Sequence, residues 1–201
     1  MHDDRSGKTD IRRELRTARG RLSKEDAENA AAVLARRALE LPELTEADTV
    51  AAYVSVGSEP GTRALLDALR ARGVRVLLPV LMADNDLDWG AYEGAEQLVR
   101  ANRPGRISLL EPAGARLGPD AVLSAGAVLL PGLAVDSRGM RLGRGGGSYD
   151  RVLARLARAG AHPALVVLLY DNEVVARVPE EPHDHPVHAV VTPGGVTRFN
   201  T

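Results

Sequence analysis

The chain has 201 residues, with 26 Lys and Arg against 27 Asp and Glu, a net charge of −1 and no cysteine. Dispersed arginines at near neutrality argue against a nucleic-acid partner, and the lack of cysteine removes disulfides, thiolate metal sites and a cysteine nucleophile. The length suits one domain over residues 1–201, no apolar run approaches the roughly 20 residues of a bilayer span, and the N-terminus lacks the apolar core of a signal peptide, so the expectation is a cytoplasmic protein off the membrane, monomeric or weakly dimeric.

Residues 1–7 read as frayed. Ile11, Leu15, Ala18 and Leu22 then recur at helical spacing and predict a helix over Thr9 to Gly20. Ser23 with Asp26 three residues on reads as a cap, and Ala27, Ala31, Leu34 and Ala38 mark the core face of a second helix ending before Pro42. From Thr49 the pattern alternates: strand over Val50 to Val56, helix over Thr62 to Arg72 stopped by Gly73, strand over Val74 to Val80. Leu87 to Tyr92 predicts a short antiparallel strand, and Gln97 to Leu117 shows no clear period. Strands resume at Val122 to Leu130, Leu165 to Tyr170 and His188 to Thr192, with a helix over Tyr149 to Ala159 between the first two. The fold class is therefore α/β: a single domain whose mostly parallel sheet is flanked by helices on both faces.

The most informative segment is Arg141 to Arg151, where Gly143, Gly145, Gly146 and Gly147 fall between a buried strand and a helix. Glycines let backbone N–H groups converge on phosphate oxygens, and a helix N-terminus adds partial positive charge. Arg141 and Arg144 add full charges and forked donors. Neither the Lys-Ser/Thr of a Walker loop nor the acid of a dinucleotide turn is present. Asp136 and Asp150 flank the loop; acids beside a polyphosphate hold Mg²⁺, although Asp150 equally suits the first turn of a helix.

Lys8 and Arg12, four apart, share one face of the first helix, where an anion between them would relieve their repulsion; spacing alone favours an ordinary solvated basic face with Arg13, Arg16 and Arg19. Lysine occurs only at Lys8 and Lys24. Glu59 follows the first strand, at the carboxyl end where open α/β sheets bind ligands. His183, Asp184, His185 and His188 invite a metal reading, but among Pro179, Pro182 and Pro186 they read as a solvated loop.

In order along the chain, these segments resemble the 5-formyltetrahydrofolate cyclo-ligase family. The resemblance rests on Lys8-x-x-x-Arg12, Tyr53-x-Ser55 with Glu59-x-x-Thr62, Pro131-Gly132-x-Ala134-x-Asp136-x-x-Gly139, Arg141-Leu142-Gly143-Arg144-Gly145-Gly146-Gly147-x-Tyr149-Asp150-Arg151, and Val190-Val191-Thr192-Pro193. It implies an open three-layer, Rossmann-like fold of the NagB–RpiA type and an ATP- and Mg²⁺-dependent closure of 5-formyltetrahydrofolate to 5,10-methenyltetrahydrofolate, releasing ADP and phosphate. By carry-over, Lys8, Arg12, Arg141, Leu142, Gly143, Arg144, Gly145, Gly146, Gly147, Ser148 and Tyr149 hold ATP, with Lys8 and Arg144 catalytic. Glu59, with Arg144 to Ser148, binds the folate, and Asp150 binds Mg²⁺, joined by His188 if that position keeps a metal role.

Three positions depart from the family pattern. Ser148 stands where the first of two tyrosines is usual, His188 where a metal-linked aspartate is usual, and Ile107 where an aromatic often stands. With aromatics at 3% of the chain, Trp89, Tyr92 and Tyr149 are the candidates left to stack on a folate ring. The departures keep open a non-catalytic folate or nucleotide binder of the same fold, or a related sugar-phosphate protein.

Overall fold

The computed structural model describes residues 4–104 and 108–200, with side chains from residue 7 onward. Ile107 lies outside the described residues.

Helix α1 (Asp4–Gly20) begins five residues earlier than its periodicity predicts. Ile11 and Leu15 pack it on a satellite cluster of Leu133, Ala134, Met140, Leu142 and Val178. Helix α2 (Lys24–Ala38) starts as expected, the Ser23 hydroxyl accepting the Asp26 N–H at 3.1 Å. The short α3 (Pro42–Thr45) leads into β1 (Thr49–Ala51), α4 (Arg63–Ala71), β2 (Arg75–Leu81) and β3 (Leu87–Ala91). Gly73 stops α4 in the left-handed region, φ 83°.

The stretch without sequence period holds a hairpin of β4 (Leu98–Ala101) and β5 (Leu109–Pro112). The strand expected over Val122 to Leu130 is instead a 3₁₀ turn (Pro119–Ser124) followed by β6 (Ala127–Leu130). Then come β7 (Ala134–Asp136), β8 (Arg141–Leu142), α5 (Ser148–Ala159), β9 (Ala164–Leu168), β10 (Val174–Val175), β11 (Ala189–Thr192) and β12 (Gly195–Arg198).

The main sheet is seven-stranded, in the order β12-β11-β9-β6-β1-β2-β3. Its inner strands pair in parallel, while β3 and β12 close the edges antiparallel. Alternation splits the buried residues between two faces. Val50, Val76, Leu129 and Val166 point toward α2, α3 and α4; Ala51, Leu77, Val128 and Val167 point toward α5 and the 3₁₀ turn. Both faces are covered, as an all-parallel centre requires.

Counted by appearance, the parallel strands lie in the order 2-1-3-4-5, so β1 and β6 are the neighbours from which the chain departs in opposite directions. Loops leaving the carboxyl ends of such a pair leave a crevice between them, where doubly wound sheets take ligands.

Candidate active site

Both walls of the crevice follow from local chemistry. After Ala52 donates to the Leu77 carbonyl at 2.8 Å the chain leaves the sheet, so the strand expected to run to Val56 ends early. Thr62 ties this loop: its hydroxyl donates to the Tyr53 carbonyl at 2.7 Å and accepts the Ser55 N–H at 2.9 Å, while its own N–H reaches the Ser55 hydroxyl at 3.1 Å. Glu59 folds back on the Val56 N–H at 2.9 Å. The Tyr-x-Ser and Glu-x-x-Thr pattern is thus a brace that fixes Glu59 at the mouth of the crevice.

The opposite wall is the glycine loop. Gly145 (φ 103°) and Gly147 (φ 80°) adopt backbone that other residues rarely enter. Gly147 caps α5 without a side-chain hydrogen bond, which leaves first-turn N–H groups for an anion. Helix α1 holds this loop from outside: Arg12 Nε donates to the Gly143 carbonyl at 2.9 Å and Arg16 Nη2 to the Arg144 carbonyl at 2.8 Å.

Between the walls lies a cavity of about 850 Å³. Lys8, Arg12, Glu59, Asp150 and the whole run Arg141 to Tyr149 line it, bringing together residues from three distant segments. One end is charged. The other is aliphatic, lined by Val54, Val56, Pro79, Leu81, Leu87, Leu109 and Leu110.

Three of the cations at the charged end, Lys8, Arg141 and Arg144, are paired with carboxylates, while Arg12 bonds the Gly143 carbonyl. Lys8 Nζ lies 3.1 Å from Asp184 and 3.6 Å from Glu181, Arg141 Nη2 lies 3.4 Å from Asp150, and Arg144 Nη1 lies 3.5 Å from Glu59. Burial would raise the Asp184 carboxyl, but the Glu181 N–H and the Lys8 ammonium outweigh it and hold the acid below its usual range. Burial lowers the Arg141 guanidinium, opposed by the nearby Asp150 charge. Two polar groups here are buried without a hydrogen-bond partner among the described residues, Arg141 Nε and the Tyr149 hydroxyl. Burial, reinforced by the charge of Glu59, pushes that hydroxyl up, so it stays protonated.

The proline-rich loop is the main correction to the sequence reading. Asp184 and Glu181 line the cavity, and with His183 their potential ligand atoms lie within 4.8 Å of one another. Only the 176-residue separation from Lys8 hid the pairing. His188, in contrast, sits at the amino end of β11, where its Nδ1 accepts the Leu165 N–H at 2.8 Å, and it does not line the cavity. Asp136 is also outside, fully buried, and occupied by N–H groups of Arg138, Met140 and Val178 and by the Arg138 side chain. Of the aromatic candidates, Tyr149 lines the cavity; Trp89 is in the core and Tyr92 bonds Asp67, and Tyr53 is the cavity aromatic that sequence reasoning missed.

Beneath the site Arg19 donates to Glu173 at 2.7 and 3.0 Å and to the Gly132 carbonyl at 2.7 Å, with both side chains almost fully buried. This ties α1 to the loop after β6.

A doubly wound α/β sheet with a glycine loop that opens a helix and a partly apolar cavity at its switch point is the architecture of a small-molecule enzyme. Comparison with known proteins names the group. The model of the 5-formyltetrahydrofolate cyclo-ligase family matches residues 4–193, and the chain belongs to that family. It is 43% identical over 157 residues to a 5-formyltetrahydrofolate cyclo-ligase of Mycolicibacterium smegmatis, covering 72% of this chain and 73% of that protein. With the Escherichia coli K12 protein of the same name it shares 33% over 187 residues, 90% and 98% of the two chains. The solution structure of Aquifex aeolicus 5,10-methenyltetrahydrofolate synthetase superimposes with a TM-score of 0.78 at 26% identity, over 96% of this chain and 93% of that one. Among the described residues no helix is long and apolar enough to cross a membrane.

Proposed function

We propose that this enzyme converts 5-formyltetrahydrofolate to 5,10-methenyltetrahydrofolate at the expense of ATP, in the charged and aliphatic halves of the one cavity. The observation that carries this reading is the convergence of Lys8, Arg12, Arg141, Arg144 and the glycine loop on a space that continues into an apolar recess headed by Glu59.

A formamide is a poor electrophile and its oxygen a poor leaving group. Attack of the formyl oxygen on the terminal phosphorus of ATP forms a P–O bond and breaks the bond to ADP. The 10-nitrogen then attacks the formyl carbon, loses its proton to solvent, and the C–O bond breaks with its electron pair leaving on phosphate. Holding both nitrogens and the phosphoryl donor together makes these steps effectively intramolecular. Lys8, Arg12 and Arg141 fit the nucleotide phosphates and Arg144 the charge on the transferred group. Glu59 accepts hydrogen bonds from the pterin ring, and the aliphatic wall receives its faces.

The buried unpaired Arg141 Nε and the open first turn of α5 suit a triphosphate. The carboxylates of Asp150, Asp184 and Glu181 supply the oxygen donors that Mg²⁺ prefers. Bound there, Mg²⁺ would neutralise phosphate charge. Lys8 and Arg141, released from those acids, would then turn to the phosphates.

The test is near-ultraviolet absorbance of the conjugated methenyl product, from 5-formyltetrahydrofolate and Mg²⁺ with and without ATP. An ATP-dependent rise supports the reading. Folate binding without any rise overturns it in favour of a non-catalytic binder.

A further inference from the structure

Beside the main cavity lies a second recess of about 200 Å³, lined by Arg16, Arg19, Val56, Gly57, Ser58, Glu59, Leu133 and Arg144. It shares Val56, Glu59 and Arg144 with the main cavity, so the Arg144 and Glu59 pair stands between the two spaces. Three guanidiniums line it against a single carboxylate, Glu59. Arg19 is already neutralised by Glu173, and Arg144 by Glu59. Arg16 has no carboxylate partner among the described residues; its partner is the Arg144 carbonyl. Partial burial and the positive charges of Arg144, Arg12 and Arg19 all press the Arg16 guanidinium down, so the cluster carries one unrelieved positive charge.

We propose that this recess is an oxyanion subsite for one inorganic phosphate, held by the forked donors of Arg16 and Arg144 beside the Ser58 hydroxyl. A guanidinium such as that of Arg16, crowded by other cations and with no carboxylate of its own among the described residues, is stabilised by a bound anion, and its planar fork matches phosphate oxygens. Arg144 faces both spaces, so a phosphate formed next to it has an adjoining cationic recess to enter. That phosphate is the occupant rests on the reaction proposed above, which releases it; the charge and shape of the recess do not. The subsite is separate from the place of the terminal phosphoryl group, and a bound triphosphate leaves it open.

The experiment is a calorimetric titration of inorganic phosphate into the full-length protein saturated with Mg²⁺ and a non-hydrolysable ATP analogue, for the wild type and Arg16→Gln. The wild type takes up one phosphate. Arg16→Gln binds it about tenfold more weakly or worse, the order of losing a charge-assisted hydrogen bond, and phosphate inhibition of turnover weakens in parallel. The loss of phosphate affinity exceeds any loss of analogue affinity, which separates loss of the subsite from the loosened glycine loop that removal of the Arg16 contact to the Arg144 carbonyl would cause; equal losses of both overturn the proposal. Arg16→Lys keeps the charge and restores part of the uptake.

No uptake by the nucleotide-saturated wild type, or equal uptake by Arg16→Gln, overturns the proposal. Failure of the analogue itself to bind counts against the proposed function instead, and phosphate titrations of the two free proteins then decide the subsite.

Discussion

Arg144 and Glu59 face each other across the mouth of the crevice, 3.5 Å apart, one from the glycine loop and the other from the loop after β1. Each is thereby held by the other when no ligand intervenes. If folate takes the carboxylate as proposed above, the guanidinium is freed for phosphate, and the two substrates should then favour each other's binding. In Glu59→Gln the KM for folate should rise about tenfold or more, as for loss of a charge-assisted hydrogen bond, while folate should no longer tighten nucleotide binding. Calorimetry of the ATP analogue with and without folate reads this directly; coupling retained in the variant would count against the exchange.

In the proposed mechanism Arg144→Ala removes a donor aimed at developing charge. Its kcat should fall about 10²-fold or more, with a thermal midpoint near that of the wild type because the side chain is partly exposed. A variant of normal turnover would show that Arg144 does not touch the transferred group.

Asp150→Asn and Asp184→Asn should each raise the Mg²⁺ concentration needed for half-maximal activity. His188→Ala should leave the Mg²⁺ dependence unaltered. A shifted dependence in His188→Ala with none in Asp184→Asn would reverse the assignment.

Glu173→Ala strands Arg19 without its partner inside the protein. Breaking such a buried pair costs about 3 to 5 kcal/mol, to be read from equilibrium denaturation. Because Arg19 also binds the Gly132 carbonyl, nucleotide affinity should drop in the fraction that remains folded. A loss below about 1 kcal/mol, the range of an exposed pair, would show that solvent reaches the pair.

Acid should unfold the protein through a defined group. Burial resists ionisation of Asp136, but hydrogen bonds from the Arg138 side chain and from the N–H groups of Val178, Arg138 and Met140 hold its carboxyl below the usual carboxylate range. A depressed acid stabilises the fold above its unfolded pKa of about 3.9, and that contribution is lost as pH falls through the folded value. Stability should therefore be steady from neutrality to about pH 5 and fall below about pH 4, with a shallower acid limb in Asp136→Asn. An unchanged limb would place the acid sensitivity elsewhere.

Local chemistry made the helices and the glycine loop legible. Ser23 caps α2, Gly73 stops α4, and the run Arg141 to Tyr149 lines one cavity with Lys8, Arg12 and Glu59. What escaped was set by contacts between distant segments. Asp184 and Glu181 lie in a proline-rich loop with no period, and their role depends on Lys8, far away in the chain. His188 sits next to them in sequence, yet the β11 register with β9 carries it to the amino end of the strand. The small sheet of β7, β8 and β10 is too short to show a pattern, although it is the platform on which α1 rests.

The reach of α1 has a consequence for biosynthesis. Lys8 meets Asp184 at a separation of 176 residues and Arg12 meets Gly143 at 131. A ribosome that has delivered the glycine loop has not yet delivered the acids that receive Lys8, and the first helix waits unanchored at that corner until they emerge. Chains that stop short of residue 181 therefore lack the carboxylates that hold Lys8, and the charged corner of the cavity closes only once the proline-rich loop has been made.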